Sequence, residues 1–426
     1  MRTLCAELSI NRQTTTIEGW IHRRRQLAAI TFLVIRDRSG LAQVVVTDDS
    51  TRAVVAELPE ESVVRIQGLV VANSSAPGGL EITDPTVMSL SDPAVTPPLE
   101  LWRPRLREHL PVKLDNAAVS WRHRSQRAVW QVAAASLSGF RSHLDRSGFT
   151  EVQTPKIVAS STESGADVFS VDYFGEKAFL AQSPQFYKQS LVGVFERVYE
   201  VGPVFRAEPH ETARHLAEYV SLDAELGFIE DHRDVLSVLN ATLQSMLDSI
   251  RDTASEALEL TDGTLPRLPD AMPVLHFRDA LKIVGADPDE PDLAPEHERI
   301  LGRWADEKYD SDFIAIEGYP SKKRPFYTHP QPDDTRWTNS FDVLFRGLEL
   351  VTGGQRLHNY SAYVHTIGQR GEDPATYASY LAAFKHGMPP HGGFAIGLER
   401  WTSRVLGLAN VREATLFPRD RSRLSP

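Results

Sequence analysis

The 426-residue sequence predicts an α+β fold in two parts: a small N-terminal β-barrel, then a larger domain of helices and polar-faced strands. Three observations predict it. Short runs of strand-forming residues separated by turn signals fill the first hundred positions. A proline-rich stretch follows. From Gln126 the apolar spacing switches to the helical period. The length exceeds what one ordinary core requires.

Runs at 16–21, 31–36, 42–46 and 63–68 read as strands, with turns at Asp37-Arg38-Ser39-Gly40 and Ala76-Pro77-Gly78-Gly79 and a short helix near 50–58. Five or so strands in a hundred residues suggest a small barrel, and the OB-fold is the small barrel that commonly binds oligonucleotides. Pro93, Pro97, Pro98, Pro104 and Pro111 mark a semi-rigid hinge. The boundaries read as barrel 1–103, linker 104–125 and second domain 126–426. Val129, Val132, Ala133, Leu137, Phe140 and Leu144 share one helix face, and Gly148 supplies a C-cap. Residues 231–330 hold one long helical stretch and an irregular, acidic, proline-rich part without a chemical motif, and read as an insertion.

The net charge of -11 argues against indiscriminate nucleic-acid binding. A local patch still acts, because salt confines surface fields to roughly 8 Å. Arg23, Arg24, Arg25, Arg36 and Arg38 form such a patch, read either as a phosphate-holding surface or as a solvated arginine-rich turn. Cys5 is the only cysteine, which excludes an internal disulfide and a Cys-based zinc site. No apolar run reaches membrane-spanning length and no signal core is read near the N-terminus, so a cytoplasmic protein with no membrane partner is expected.

Three segments carry chemistry. Gly148-Phe149-Thr150-Glu151-Val152-Gln153-Thr154-Pro155 is a strand ending in a proline, which belongs at an edge or an interface. Residues 197–208 form a strand ending in Phe205-Arg206-Ala207-Glu208; a turn through Pro209 leads to Arg214-His215-Leu216 and a strand whose Ser221, Asp223 and Glu225 share a face. Arginine forks there suit phosphate oxygens. Gly392-Gly393-Phe394-Ala395-Ile396-Gly397-Leu398-Glu399-Arg400 is a Gly-rich strand entering a helix. Arg400 in its first turn opposes the helix dipole unless it serves an anion.

In this order and spacing the three segments resemble motifs 1, 2 and 3 of class II aminoacyl-tRNA synthetases. Near-complete coverage, with the barrel in front, resembles the class IIb branch and, within it, the compact archaeal-type aspartyl enzymes. The resemblance implies a catalytic domain built on an antiparallel sheet flanked by helices, and a homodimer formed through motif 1 at Pro155. It implies that Arg206 binds the α-phosphate and the substrate carboxylate. Glu208, Arg214, His215 and Leu216 would surround the adenine and outer phosphates of ATP, with Gly397 and Arg400 completing the subsite. Glu349 matches the carboxylate that holds Mg2+; Thr352 stands where the family has serine, beside both metal and amino acid, and Ala395 replaces a motif 3 glycine.

The amino acid is argued from charge. A desolvated side-chain carboxylate needs a cation. Lys188, in Gln182-Ser183-Pro184-Gln185-Phe186-Tyr187-Lys188, and Arg356, in Gly353-Gly354-Gln355-Arg356, match the aspartate clamp. Two cations around one carboxylate would reject asparagine. Glu163 matches the acid receiving the α-ammonium, assisted by Gln185 and Asp223. In the barrel, Phe32, Gln43 and Glu81 match the anticodon readers, by stacking and by hydrogen bonds to base edges. His22 and Pro77 match the relaxed enzymes that charge tRNA(Asn) as well as tRNA(Asp) and feed a tRNA-dependent amidotransferase.

The competing readings are a discriminating enzyme for tRNA(Asp) alone, an asparaginyl-type or tRNA-independent ligase, a specialised second copy, and an inactive OB-fold tRNA-binding paralogue. The inactive paralogue predicts loss of Arg206, Glu349 or Arg400, and all three are present.

Overall fold

The computed structural model describes residues 2–11, 13–159, 167–209 and 212–425, in two compact units, Met1–His123 and Arg124–Pro426. In the first, β1 (Thr14–Gln26), β2 (Thr31–Arg36), β3 (Leu41–Val46), β4 (Val63–Ala72) and β5 (Leu80–Ser89) close a barrel in the order β1-β2-β3-β5-β4. Strict alternation builds it: Ile17, Ile21, Leu33, Ile35, Ala42, Val44 and Val46 are fully buried, so Phe32, Val34, Gln43 and Val45 stand on the outer face. Helix α1 (Asp49–Ala56) is N-capped by Asp48, which accepts from the Thr51 N–H.

The arginine patch expected from sequence is not a uniform phosphate surface. Arg36 is buried and pairs bidentately with Glu61 at 2.8 Å through each nitrogen. Arg24 donates to the carbonyls of Val55, Ala56 and Leu58 at the end of α1, where orphan acceptors and the helix dipole favour a cation. Arg23 stacks over Trp102 at 3.3 Å. Arg25 and Arg38 remain exposed. The proline-rich stretch also does more than extend. Leu99 and Leu101 are buried, and the short helices α2 (Leu110–Asp115) and α3 (Ala117–Ser120) fold within this unit.

The second unit opens with α4 (Arg124–Arg146), whose predicted apolar stripe is buried at Val129, Val132, Ala133, Phe140 and Leu144 and half-buried at Leu137. Gly148 terminates it in the left-handed region at φ 79°, with the Phe149 N–H returning to the Leu144 carbonyl. A small sheet follows from β7 (Ile157–Val158), β8 (Ser170–Tyr173) and β9 (Glu176–Leu180). The main sheet has eight strands: β6 (Thr150–Glu151), β10 (Arg197–Phe205), β11 (Glu218–Gly227), β12 (Val274–His276), β13 (Phe313–Glu317), β14 (Ser340–Phe345), β15 (Leu348–Gln355) and β16 (His391–Gly397). Their order is β12-β13-β14-β15-β16-β11-β10-β6. The pairs are antiparallel except at the two edges, where β12–β13 and β10–β6 are parallel. Pro155 is exposed just beyond edge strand β6.

Helices α5 (Gln185–Phe195), α6 (His232–Thr253), α7 (Ser255–Leu260), α8 (Phe277–Val284), α9 (Pro295–Tyr309), α10 (Tyr360–Gln369), α11 (Ala378–Phe384) and α12 (Leu398–Val405) surround the sheet. Residues 231–330 are more regular than the sequence reading has them. They supply α6 to α9 and two strands of the main sheet, with a core of Phe277, Leu281, Leu301, Ile314 and Ile316. β13 escapes periodicity because all five of its residues are buried, so it shows no alternation.

Candidate active site

Sheet register lays out the site. Glu200, Asp223, Ala395, Thr352 and Asp342 are successive cross-strand partners on β10, β11, β16, β15 and β14. One step along, Glu225, Gly393, Gly354 and Ser340 make a second row on the same face. Small residues on β16 clear the space. A Cβ at Gly393 would stand 2.1 Å from the Glu225 carboxylate, so only glycine admits that side chain.

Over this face lies a cavity of ≈ 300 Å³. It gathers Gln185, Lys188, Thr352 and Arg356 with Arg206, Glu208, Arg214, His215 and Leu216, and with Glu349, Gly397 and Arg400. Twelve residues singled out from motifs scattered between 185 and 400 therefore line one space. Glu163 lies outside the described residues.

At the floor, Lys188 is 1% exposed and its Nζ donates to Asp223 Oδ1 at 2.9 Å and to the Phe394 carbonyl at 3.3 Å. Glu225 Oε2 stands 3.3 Å from the same nitrogen. Arg356 donates from Nε to Glu225 Oε1 at 2.9 Å and from Nη2 to the Gly393 carbonyl at 3.0 Å, leaving Nη1 as its spare donor. Burial pushes the Glu225 carboxyl up, but Arg356, Lys188 and His391 outweigh it and hold it below the usual range. The sequence argument placed two bare cations here. The floor is in fact compensated, two cations against two carboxylates, because unpaired buried charge is costly. An incoming side chain meets the spare Nη1 of Arg356, with the Lys188 charge beside it, on a rigid frame.

The other end is looser. Arg206 lies 3.8 Å from Glu208 and its guanidinium sits over Tyr219 at 5.7 Å. His215 Nε2 is 3.7 Å from Glu208, and Arg214 is 3.7 Å from Glu298. Arg400 projects from the first turn of α12, donates to the Glu349 carbonyl at 2.8 Å and stands 3.9 Å from its carboxylate. Burial, then Asp342, push the Glu349 carboxyl up to about 7 against Arg400 and Arg324. Its side chain keeps 44% accessibility through the cavity, so the burial share is the one that solvent softens. Thr352 Oγ1 is 3.4 Å from Glu349 Oε1.

In the barrel, Phe32 and Val45 are cross-strand partners, as are Val34 and Gln43, and Gln43 and Glu81. Phe32 is a half-buried outer-face residue and not part of the core. Gln43 Nε2 and Asn73 Nδ2 both donate to Glu81 Oε2, at 2.9 and 2.7 Å. Asn73 also ties the Pro77 turn to this face, since its N–H donates to the Gly79 carbonyl. His22 Nδ1 is 3.2 Å from Arg36 Nη1.

Sequence reasoning missed Lys323, Arg324 and Glu399 in the cavity, and gave Glu225 no role. Arg324 pairs with Asp342 at 2.7 Å, and Glu399 accepts the Val220 N–H through both oxygens at 3.1 Å. The available signals were a basic run at 322–324 within an acidic segment and the period-2 face that Glu225 shares with Asp223.

Residues 109–421 match the family model of tRNA synthetases class II (D, K and N), and residues 15–90 match that of the OB-fold nucleic acid binding domain. The chain is 47% identical to the Aspartate--tRNA(Asp/Asn) ligase of Thermus thermophilus, over 100% of both chains. It is 43% identical to the enzyme of the same name from Deinococcus radiodurans, over 100% of this chain and 99% of the relative. Among solved structures, asparaginyl-tRNA synthetase from Pyrococcus horikoshii complexed with asparaginyl-adenylate superposes with a TM-score of 0.92 at 29% identity, covering 100% of both chains. With both catalytic and barrel segments matched, and cation-lined floor and arginine-lined rim in one cavity, the chain belongs to the class II tRNA synthetases of the D, K and N branch.

Proposed function

We propose that the chain activates L-aspartate with ATP and transfers it to tRNA(Asp) and tRNA(Asn). The observation that carries this is the presence of Lys188 and Arg356 in the same cavity as Arg206 and Arg400. The aspartate α-carboxylate attacks the α-phosphorus of ATP, forming aspartyl-adenylate and releasing pyrophosphate. The 3′-terminal ribose hydroxyl of tRNA then attacks the adenylate carbonyl carbon and AMP leaves. No protein nucleophile is needed, so the chain contributes positioning and charge neutralisation. The spare Nη1 of Arg356 and the charge of the Lys188 ammonium hold the side-chain carboxylate, with Gln185 beside them and Glu163 assigned to the α-ammonium. Arg206 holds the reacting carboxylate and α-phosphate together. Glu208, Arg214, His215, Leu216, Gly397 and Arg400 bind the rest of ATP.

Glu349 and Thr352 suit Mg2+. A carboxylate pushed up by burial and then by a neighbouring Asp342 gains from a divalent cation, and a hydroxyl lies beside it. Among the described residues there is no cluster of three or more metal-ligating side chains, which fits an ion that takes its other ligands from phosphate and water. When bound, Mg2+ neutralises phosphate charge.

On the barrel, Phe32 stacks on an anticodon base while Gln43 and Glu81 bond base edges. His22 and the Pro77 turn, tied through Asn73 to Glu81, support the relaxed reading, as does the likeness to Asp/Asn ligases. Such an enzyme works in the cytoplasm as a homodimer and depends on an amidotransferase to convert aspartyl-tRNA(Asn). Among the described residues no helix is long and apolar enough to cross a membrane.

The test is amino-acid-dependent ATP–pyrophosphate exchange, followed by charging of both tRNA transcripts. Exchange with aspartate and comparable charging of both tRNAs are expected. Exchange with asparagine alone overturns the amino-acid assignment. A preference for tRNA(Asp) of about a hundredfold overturns the relaxed reading.

A further inference from the structure

Glu298 stands in the stretch 231–330, where the sequence shows no motif, yet from α9 its carboxylate meets two residues that line the cavity, Glu349 and Arg214. It is 8% exposed. Its position in the first turn of α9 is favourable for an anion, because the helix dipole is positive there. The helix is seated firmly. Gly302 packs on the β14–β15 turn so closely that a Cβ would stand 2.6 Å from the Gly347 nitrogen. From this seat, Glu298 Oε2 accepts the backbone N–H of Glu349 at 3.1 Å, and the same oxygen lies 3.7 Å from Arg214 Nη1. One carboxylate on a helix thus links the start of β15 to the loop between β10 and β11.

The two contacts differ in kind. The amide contact is a hydrogen bond and fixes the strand that carries Glu349. The arginine contact is beyond hydrogen-bond range. It draws the guanidinium towards the wall without consuming its donors, and the exposed side of Arg214 keeps the attraction weak. A triphosphate, with more charge and better geometry, displaces such a partner readily.

We propose that Glu298 is a positioning residue of the nucleotide subsite: it fixes the Glu349 backbone and holds Arg214 beside it until the triphosphate takes the guanidinium. This rests on the assignment of Arg214 and Glu349 to ATP made above.

The experiment is Mg·ATP binding to the full chain by calorimetry, for the unchanged protein, Glu298→Ala, Glu298→Gln, Arg214→Ala and the Glu298→Ala/Arg214→Ala pair. Binding is read without an amino acid, so an error in the aspartate assignment appears in pyrophosphate exchange and not here. Failure of the unchanged chain to bind Mg·ATP overturns the functional reading itself, and this proposal with it. Glu298→Ala should weaken binding about tenfold, because the ordering of Glu349 that the amide bond supplies in advance must then be supplied on binding. Glu298→Gln keeps an oxygen for the Glu349 N–H and should stay within about threefold. Arg214→Ala should cost up to about threefold less beside Glu298→Ala than alone, the same share that Glu298→Gln loses by keeping the amide bond but not the charge that faces Arg214. The KM for aspartate in exchange should move less than about twofold. Equal binding by Glu298→Ala and the unchanged chain overturns the proposal, as do equal effects of Ala and Gln or strict additivity. A parallel loss of ATP and aspartate affinity with a lowered melting temperature also overturns it, because that marks a merely structural role.

Discussion

The two ends of the cavity hold similar charges in opposite ways. At the floor, Lys188 and Arg356 make contacts of 2.9 to 3.3 Å with Asp223, Glu225 and backbone carbonyls. At the rim, Arg206, Arg214, His215 and Arg400 stand 3.7 to 3.9 Å from their carboxylates and keep part of their surface exposed, and short contacts there, Arg400 to the Glu349 carbonyl at 2.8 Å and His215 to Thr212 Oγ1 at 2.6 Å, are to neutral groups. Tight, buried pairing makes a frame that cannot rearrange cheaply, which suits discrimination between amino acids differing by one charge. Loose pairing leaves donors ready to exchange a carboxylate for a phosphate, which suits a large polyanion that must enter and leave as pyrophosphate and AMP.

Breaking the floor should have the largest effect. Lys188→Met leaves Asp223 and Glu225 with a single cation. It should lower aspartate-dependent exchange on the order of a thousandfold and cost about 3–5 kcal/mol of stability, read by denaturant unfolding. Retention of both aspartate KM and stability would erase the distinction between floor and rim. Arg400→Ala is the matched rim change. It should lower kcat/KM for ATP on the order of a hundredfold while unfolding shifts by about 1 kcal/mol or less. A stability loss as large as that of Lys188→Met would place Arg400 with the floor.

The same contrast explains what the sequence made legible. Motif residues such as Arg206, Lys188 and Arg400 were readable because the segments that hold them resemble the motifs of a known family. Their partners were not, since Glu225 and Glu298 meet them only through strand register and the seating of α9. The barrel was readable from short strand-forming runs divided by turn signals, and its arginine run was misread for a related reason. Counting Arg24 and Arg36 as free charge ignored the α1 carbonyls and Glu61, which only folding brings near. The strands of 231–330 stayed hidden because a fully buried strand such as β13 has no polar phase to detect. Charge seen in sequence is an upper bound on charge offered to a ligand, and the discount is set by contacts distant along the chain.

Glu399 sharpens this at the smallest scale. Like Glu225 it is almost fully buried, at 4% exposure, but among the described residues it accepts only backbone N–H groups, its own and that of Val220, and meets no cation. Burial pushes its carboxyl up to about 7 from an ordinary 4.5, with backbone hydrogen bonds opposing and Glu218 adding to the rise. A folded carboxyl that titrates higher than the unfolded one binds the extra proton in the native state. Its contribution is therefore complete below pH 4.5, falls as pH rises towards 7, and is absent above. Glu399→Gln keeps an acceptor for the amide and removes the titration. Its stability relative to the unchanged chain should rise across that window by about 3 kcal/mol at most. Denaturant unfolding of both proteins from pH 5 to 8 reads the difference. A difference that stays flat with pH would mean that the Glu399 carboxylate is solvated or paired after all, and that burial without a cation is not what separates it from Glu225.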